Sequence, residues 1–335
     1  MTIDERVEAL AKLGKFLRAI DADEFEELML KIRSENPWFT MGSVELALEG
    51  ARRYLDPEKL KRWITDYQVE PERPKQVAVV MAGNIPLAGF HDFVAVLVSG
   101  HNILIKLSSK DSVLPTFLAN KLIEIDTRFG ERITLADRLK NFDAVIATGS
   151  DNSSRYFQYY FGKYPHIIRK NRTSCAILSG SETAEDLRLL GKDVFTYFGL
   201  GCRNVSKLFI PETFDPVSLI NAWDIYVDII NHHKYHNNYD YQKSILLVNK
   251  IPFYDSGFVI LHENEKLVSP ISVVYFERYK NEDDLAQKLG PVADKIQVIV
   301  GRAGSGYVPF GSAQMPELWD YADRVDTLKF LESLG

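Results

Sequence analysis

Residues 77–106 read VAVVMAGNIPLAGFHDFVAVLVSGHNILIK, and this stretch decides the fold. The run 77–81 is apolar and rich in β-branched side chains, which predicts a buried strand. Gly83-Asn84-Ile85-Pro86 interrupts it; a helix is then predicted over 86–99 and a second strand, NILIK, over 102–106. Strand, turn, helix and strand in that order make a parallel crossover unit. The alternation continues with a helix over 111–129, a strand over 143–147 and a helix after Ser150. It resumes with a strand at 175–178, a helix over 182–197, a strand at 207–210, a helix over 214–230 and strands near 244–249, 257–261 and 271–277. The fold class is therefore α/β, with a doubly wound parallel sheet.

Upstream of this stretch, residues 1–66 carry helical spacing. Leu10, Leu13, Phe16 and Leu17 share one face, as do Phe25, Leu28 and Met29. Another helix is expected after Thr40, with Ser43 as its cap and Glu45 in its first turn. The polar, proline-bearing segment 69–74 reads as a linker.

A chain of 335 residues is long enough for two domains. Apolar residues make up 46% and charged residues 26%, ordinary values for a soluble globular protein. A net charge of −6 offers no basic surface for nucleic acid or an acidic membrane. The charged, amphipathic N-terminus is unlike a signal peptide, and no apolar run is long enough to cross a bilayer. Two cysteines, Cys175 and Cys202, do not make a disulfide framework, so a reducing cytoplasm is the expected compartment.

Four short features carry chemistry. In Phe198-Gly199-Leu200-Gly201-Cys202-Arg203, a cysteine follows a glycine-flanked turn that can present its sulfur to a cleft. Asn84 follows the first strand of the sheet, where its amide can stabilise an oxyanion. Lys106, Ser108, Ser109 and Lys110 end the second strand, suited to a cofactor ribose and phosphate. Gly149 and Ser150 open a helix whose backbone N–H groups can face a pyrophosphate. Taken singly, each has an ordinary reading: a buried cysteine, a turn, a solvated lysine, a helix cap. Neither a G-x-G-x-x-G fingerprint nor a P-loop occurs.

As an ordered set, GNIP (83–86), SGHNILIKLSS (99–109), ATGS (147–150), GLGC (199–202), VSPISVVYF (268–276) and PFGSAQ (309–314) resemble the aldehyde dehydrogenase superfamily. The run FGLGCRNVSK and the tail PELWDYAD are similar to its acyl-CoA reductase family, which includes the fatty-acid reductase of bacterial luminescence. The resemblance implies an aldehyde-dehydrogenase-like fold. It would hold N-terminal helices and a dinucleotide-binding domain over 1–185, a nucleophile domain over 186–310, and a tail over 311–335 that can serve oligomerisation.

The departures also carry meaning. The family's E-L-G-G-K stretch aligns with 169–173, so the glutamate that activates water in hydrolytic members is replaced by Arg169. The glutamate that binds the adenosine 2′-hydroxyl is replaced by Ser109, beside Lys110, which favours NADPH, with NADH the alternative. The glutamate of E-x-F-G-P-V falls at Lys266 or Glu265. The resemblance thus implies reduction of an acyl thioester, acyl-CoA or an acylated protein, to an aldehyde. Cys202 would be the nucleophile, and Asn84 with the Cys202 N–H the oxyanion donors. Lys106, Ser108, Ser109, Gly149 and Ser150 would bind the cofactor, and a cytoplasmic dimer is expected. A hydrolytic aldehyde dehydrogenase and an inert dinucleotide-binding module are the alternatives. His232, His233 and His236 lack a fourth ligand at regular spacing, so no metal is expected and the segment reads as a loop near the site's mouth. Cys175 reads as inert core.

Overall fold

The computed structural model describes residues 1–302 and 306–335. The chain divides into two compact units, Met1–Asn171 with Pro316–Gly335, and Arg172–Met315. Sequence reading drew the boundary at 185/186, within the helix it expected over 182–197.

The first unit opens with four helices, α1 (Ile3–Arg18), α2 (Ala22–Glu35), α3 (Met41–Tyr54) and α4 (Pro57–Ile64). Each starts on a side-chain cap: Thr2 with a reciprocal Glu5, Asp21, Thr40, and Asp56 followed by Pro57. Thr40, not Ser43, caps α3, since the Thr40 hydroxyl accepts the Ser43 N–H at 3.3 Å. The helices precede β1 (Gln76–Val80), α5 (Phe90–Val98), β2 (Asn102–Lys106), α6 (Val113–Ile125), β3 (Ile133–Leu135), β4 (Ala144–Thr148), α7 (Asp151–Phe161) and β5 (His166–Arg169). The sheet order is β3-β2-β1-β4-β5, parallel throughout. Val77, Ala78, Val79, Ile103, Ile105, Val145 and Ile146 are buried, which is why these strands read as unbroken apolar runs.

The tail 316–335 belongs to this unit. Leu318, Leu328 and Leu331 join its core, and Glu317 pairs with Arg53 and Lys59. His91 and His101 meet the Leu318 and Leu331 carbonyls at 2.8 and 3.1 Å.

The second unit contains β6 (Thr173–Ile177), α8 (Ala184–Phe195), β7 (Val205–Pro211), α9 (Val217–Trp223), α10 (His233–Val248), β8 (Tyr254–Asp255), β9 (Ile260–Glu263), β10 (Val273–Tyr279), α11 (Glu282–Leu289), β11 (Ile296–Gly301) and β12 (Val308–Pro309). Its sheet order is β12-β11-β6-β7-β10-β9-β8, with only β8 antiparallel to its neighbour among the described pairs.

Two expectations fail here. The strand expected near 244–249 is the end of α10, and the histidine segment expected as a loop is its first turn. No Gly or Pro interrupts 233–248, so the helix propagates through the short apolar run ILLV. The helix expected over 214–230 is α9 followed by a 3₁₀ stretch, Asp224–Asn231. Among the described residues, no helix is long and apolar enough to cross a membrane.

Candidate functional site

In the first unit the chain leaves β1 towards β2 and β3, then returns past β1 to form β4. The connections therefore run in opposite directions from β1 and β4, and a parallel sheet opens a crevice at the carboxyl ends of such a strand pair. Asn84, four residues beyond β1, lies exposed at this edge. Lys106 ends β2 and is exposed, donating to the Asp137 carbonyl at 2.7 Å. Its ammonium has further donors for a ligand. Ser108 is half-buried, and Ser109 and Lys110 are exposed. Gly149 and exposed Ser150 follow β4, and the Ser150 hydroxyl caps α7 by accepting the Ser153 N–H at 3.3 Å. The first unit thus gathers six of the seven sequence-predicted site residues along one sheet edge.

Close packing fixes that edge. A Cβ on Gly83 would lie 2.4 Å from the Ser108 hydroxyl, so the GNIP turn can rest on the β2 loop only with glycine there. A Cβ on Gly149 would lie 2.8 Å from both Ser153 and Phe157, so that glycine lets α7 pack against the end of β4.

Sequence reading missed Asp111. It is 2% exposed and accepts the Leu87 N–H at 2.8 Å, joining the β2 loop to the end of the GNIP turn. Leu87 is left-handed, with φ 58°, so this contact holds a backbone that a branched residue rarely adopts. Burial pushes the Asp111 carboxyl up to about 7, against the Leu87 N–H and helped by Glu35. A carboxyl raised in the folded state adds stability that is complete below its unfolded value of 3.8 and is lost as pH climbs through about 7. Asp111→Asn stays neutral and keeps an acceptor for Leu87. Its thermal midpoint should therefore fall less between pH 4.5 and 7.5 than that of wild type, by roughly 1–4 kcal/mol in stability. Parallel curves for the two proteins would remove Asp111 as the source.

Cys202 stands in the second unit, in the turn between α8 and the amino end of β7, and is exposed. Three consecutive residues before it are left-handed: Tyr197 (φ 52°), Phe198 (φ 58°) and Gly199 (φ 78°). Only the last is glycine, so two side chains bear a conformation found mostly where the surroundings impose it. Those surroundings are specific. Asn204, 1% exposed, accepts the Gly201 N–H at 2.8 Å. It shares its own amide hydrogens among the carbonyls of Asp193, Val194 and Thr196 at 3.1, 3.2 and 2.7 Å. The Ser174 hydroxyl donates to the Cys202 carbonyl at 2.9 Å. Asp193 in turn accepts the Gly311 and Ala313 N–H groups at 2.6 and 2.9 Å, binding PFGSA to the same loop. Burial pushes that carboxyl up to about 6.

Phe198 lies against His232, ring centroids 4.4 Å apart, so the cap of α10 adjoins the cysteine loop. A pocket of about 340 Å³, counted to its open mouth, is lined by Phe195, Phe198, Gly199, Tyr235, Ile271 and Val274 among others. Cys175 is fully buried, and burial pushes its thiol up to about 12, which leaves it without thiolate at neutral pH. Asn204 and Ser174 were also missed by sequence reading, because nothing in the string says which polar residue of a loop folds beneath it.

The family model for acyl-CoA reductase (LuxC) matches residues 15–213, more than half of the chain. No curated protein matched the sequence. Solved structures with the same fold include an aldehyde dehydrogenase C mutant from Pseudomonas syringae in complex with NAD+ and octanal. It is 10% identical, with a TM-score of 0.68 over 91% of this chain and 73% of that one. A putative aldehyde dehydrogenase from Burkholderia cenocepacia is 14% identical, with a TM-score of 0.67 over 94% and 76%. An aldehyde dehydrogenase from Mycobacterium tuberculosis complexed with NAD+ is 15% identical, with a TM-score of 0.65 over 90% and 73%. At such identities the likeness is one of fold.

Proposed function

The chain belongs to the acyl-CoA reductase (LuxC) family, and on that footing we propose that it reduces an acyl thioester to an aldehyde through a thioester on Cys202. The observation that carries this reading is the presentation of Cys202: an exposed cysteine on a loop held in a strained backbone by buried hydrogen bonds. The Cys202 thiolate attacks the carbonyl carbon of an acyl-CoA, or of an acylated partner protein. The Cys202 N–H takes the negative charge that develops on oxygen. The carbon–sulfur bond to the leaving thiol then breaks, and the acyl group stays on Cys202. Splitting one difficult reduction into acyl transfer and reduction is what a covalent nucleophile contributes.

The carboxyl edge of the first sheet suits a nicotinamide dinucleotide, with Lys106, Ser108, Ser109, Gly149 and Ser150 as its holders. Its reversal of connections lies where such cofactors bind, and Gly83 and Gly149 allow the close packing such an edge needs. When bound, the reduced nicotinamide supplies the hydride that converts the Cys202 thioester to aldehyde. Ser109 in place of a carboxylate, with Lys110 beside it, favours NADPH over NADH. The Pseudomonas and Mycobacterium enzymes were solved with NAD+.

Arg169 favours reduction over hydrolysis. The position that would carry a water-activating glutamate holds a 4% exposed guanidinium paired with Asp92. With no general base there, water is a poor competitor for the thioester. A cytoplasmic dimer completes the proposal.

Incubating the protein with radiolabelled acyl-CoAs of increasing length, without reductant, tests this reading. A hydroxylamine-labile label on the Cys202 peptide, discharged as aldehyde when NADPH is added, is the expected result. Absence of label at Cys202 with every chain length would overturn it.

A further inference from the structure

Acyl transfer needs more of a cysteine than exposure. The sulfur and the backbone N–H of the same residue must meet one carbonyl group together, so the main chain at that residue has to be held. Within the loop 197–202 there is a single 3₁₀-type bond among the described backbone contacts, from the Leu200 N–H to the Tyr197 carbonyl at 3.0 Å, and the loop contains two non-glycine residues in left-handed conformation. What holds it is a buried side chain two residues further on. The Asn204 oxygen takes the Gly201 N–H, immediately before Cys202, and the Asn204 amide grips three carbonyls of 193–196. The Asn204 N–H also donates to the Gly201 carbonyl at 3.0 Å, closing the turn. On the far side, Ser174 in strand β6 fixes the Cys202 carbonyl and accepts the Val298 N–H at 3.3 Å.

We infer that Asn204, seconded by Ser174, is a positioning residue that holds the Cys202 backbone in the conformation acyl transfer requires. Both act through Cys202 and not on substrate, and the inference rests on the reading of Cys202 as nucleophile. The site needs an acceptor and at least two donors on one short side chain, which serine, aspartate and alanine lack.

The test compares two reactions of one sulfur. Alkylation by iodoacetamide needs only an accessible thiolate, whereas acylation by acyl-CoA also needs the aligned N–H. Both rates are followed on the Cys202 peptide by mass spectrometry. In Asn204→Ala, acylation should fall about 100-fold while alkylation stays within about twofold of wild type, since small misplacements cost reactions that depend on alignment most. In Ser174→Ala the same selective loss, of roughly tenfold, is expected, and this variant carries the test if Asn204→Ala fails to fold. A general loosening would instead raise alkylation, at Cys175 as well. Equal changes in the two rates, or wild-type acylation in a folded variant, would overturn the inference and leave Cys202 as nucleophile. Wild-type protein that acyl-CoA never labels would overturn the nucleophile reading beneath it.

Discussion

Cys202→Ala should lose acyl-CoA reduction by roughly ten-thousand-fold or more, because the covalent route disappears and nothing in the loop replaces it. Cofactor binding, read by titration calorimetry with NADPH, should survive, since the residues assigned to it lie in the first unit and Cys202 in the second. Cys202→Ser restores an oxygen nucleophile of much higher pKa and should recover little at neutral pH. Cys175→Ala should retain activity, because its fully buried thiol, pushed up to about 12, has no path to substrate. A Cys202→Ala protein that reduced acyl-CoA within tenfold of wild type would end the covalent mechanism.

The sheet of the first unit was legible because its strands are buried on both faces. QVAVV and NILIK write continuous apolar runs into the sequence, and the turns between strand and helix carry glycine or proline. β3 and β5 were illegible for the opposite reason. They hold three and four residues, and ITL exposes two of its three side chains, so no periodicity accumulates. The end of α10 misled because ILLV is a strand-like string in isolation; its helical state follows from sixteen residues without a breaker.

The candidate site divides in the same way. The residues proposed to contact ligands sit in turns with recognisable neighbours, such as GNIP, ATGS and GLGC. Residues that hold those turns do not. Asp111, Asn204 and Ser174 are ordinary polar letters in the string. Their importance comes from burial beneath a loop, a property of the tertiary fold.

Glu277→Ala should destabilise the second unit by about 3–5 kcal/mol, the usual effect of removing one partner of a buried ion pair. Lys207 lies on β7, the strand that Cys202 precedes, and is 1% exposed. Its ammonium meets Glu277 at 2.7 Å and the Asn264 carbonyl, while Glu277 also holds Lys288 at 2.8 Å. Burial lowers the Lys207 pKa, and Glu277 opposes that shift. Without Glu277 the buried amine keeps the Asn264 carbonyl but no counterion, and its pKa should fall further. A lysine depressed in the folded state binds fewer protons there than in the unfolded chain, so stability rises with pH across the gap between the two values. The deficit of Glu277→Ala should therefore shrink between pH 7 and pH 10, beyond any change in wild type. Adding Lys207→Met removes the buried charge and should restore most of the loss at pH 7, since an apolar side chain of similar length needs no counterion. Urea denaturation followed by tryptophan fluorescence, with Trp223 buried in this unit, reads all three proteins. A Glu277→Ala deficit below about 1 kcal/mol, the scale of an exposed pair, would mean that water reaches Lys207 and that the pair stabilises no more than a surface one.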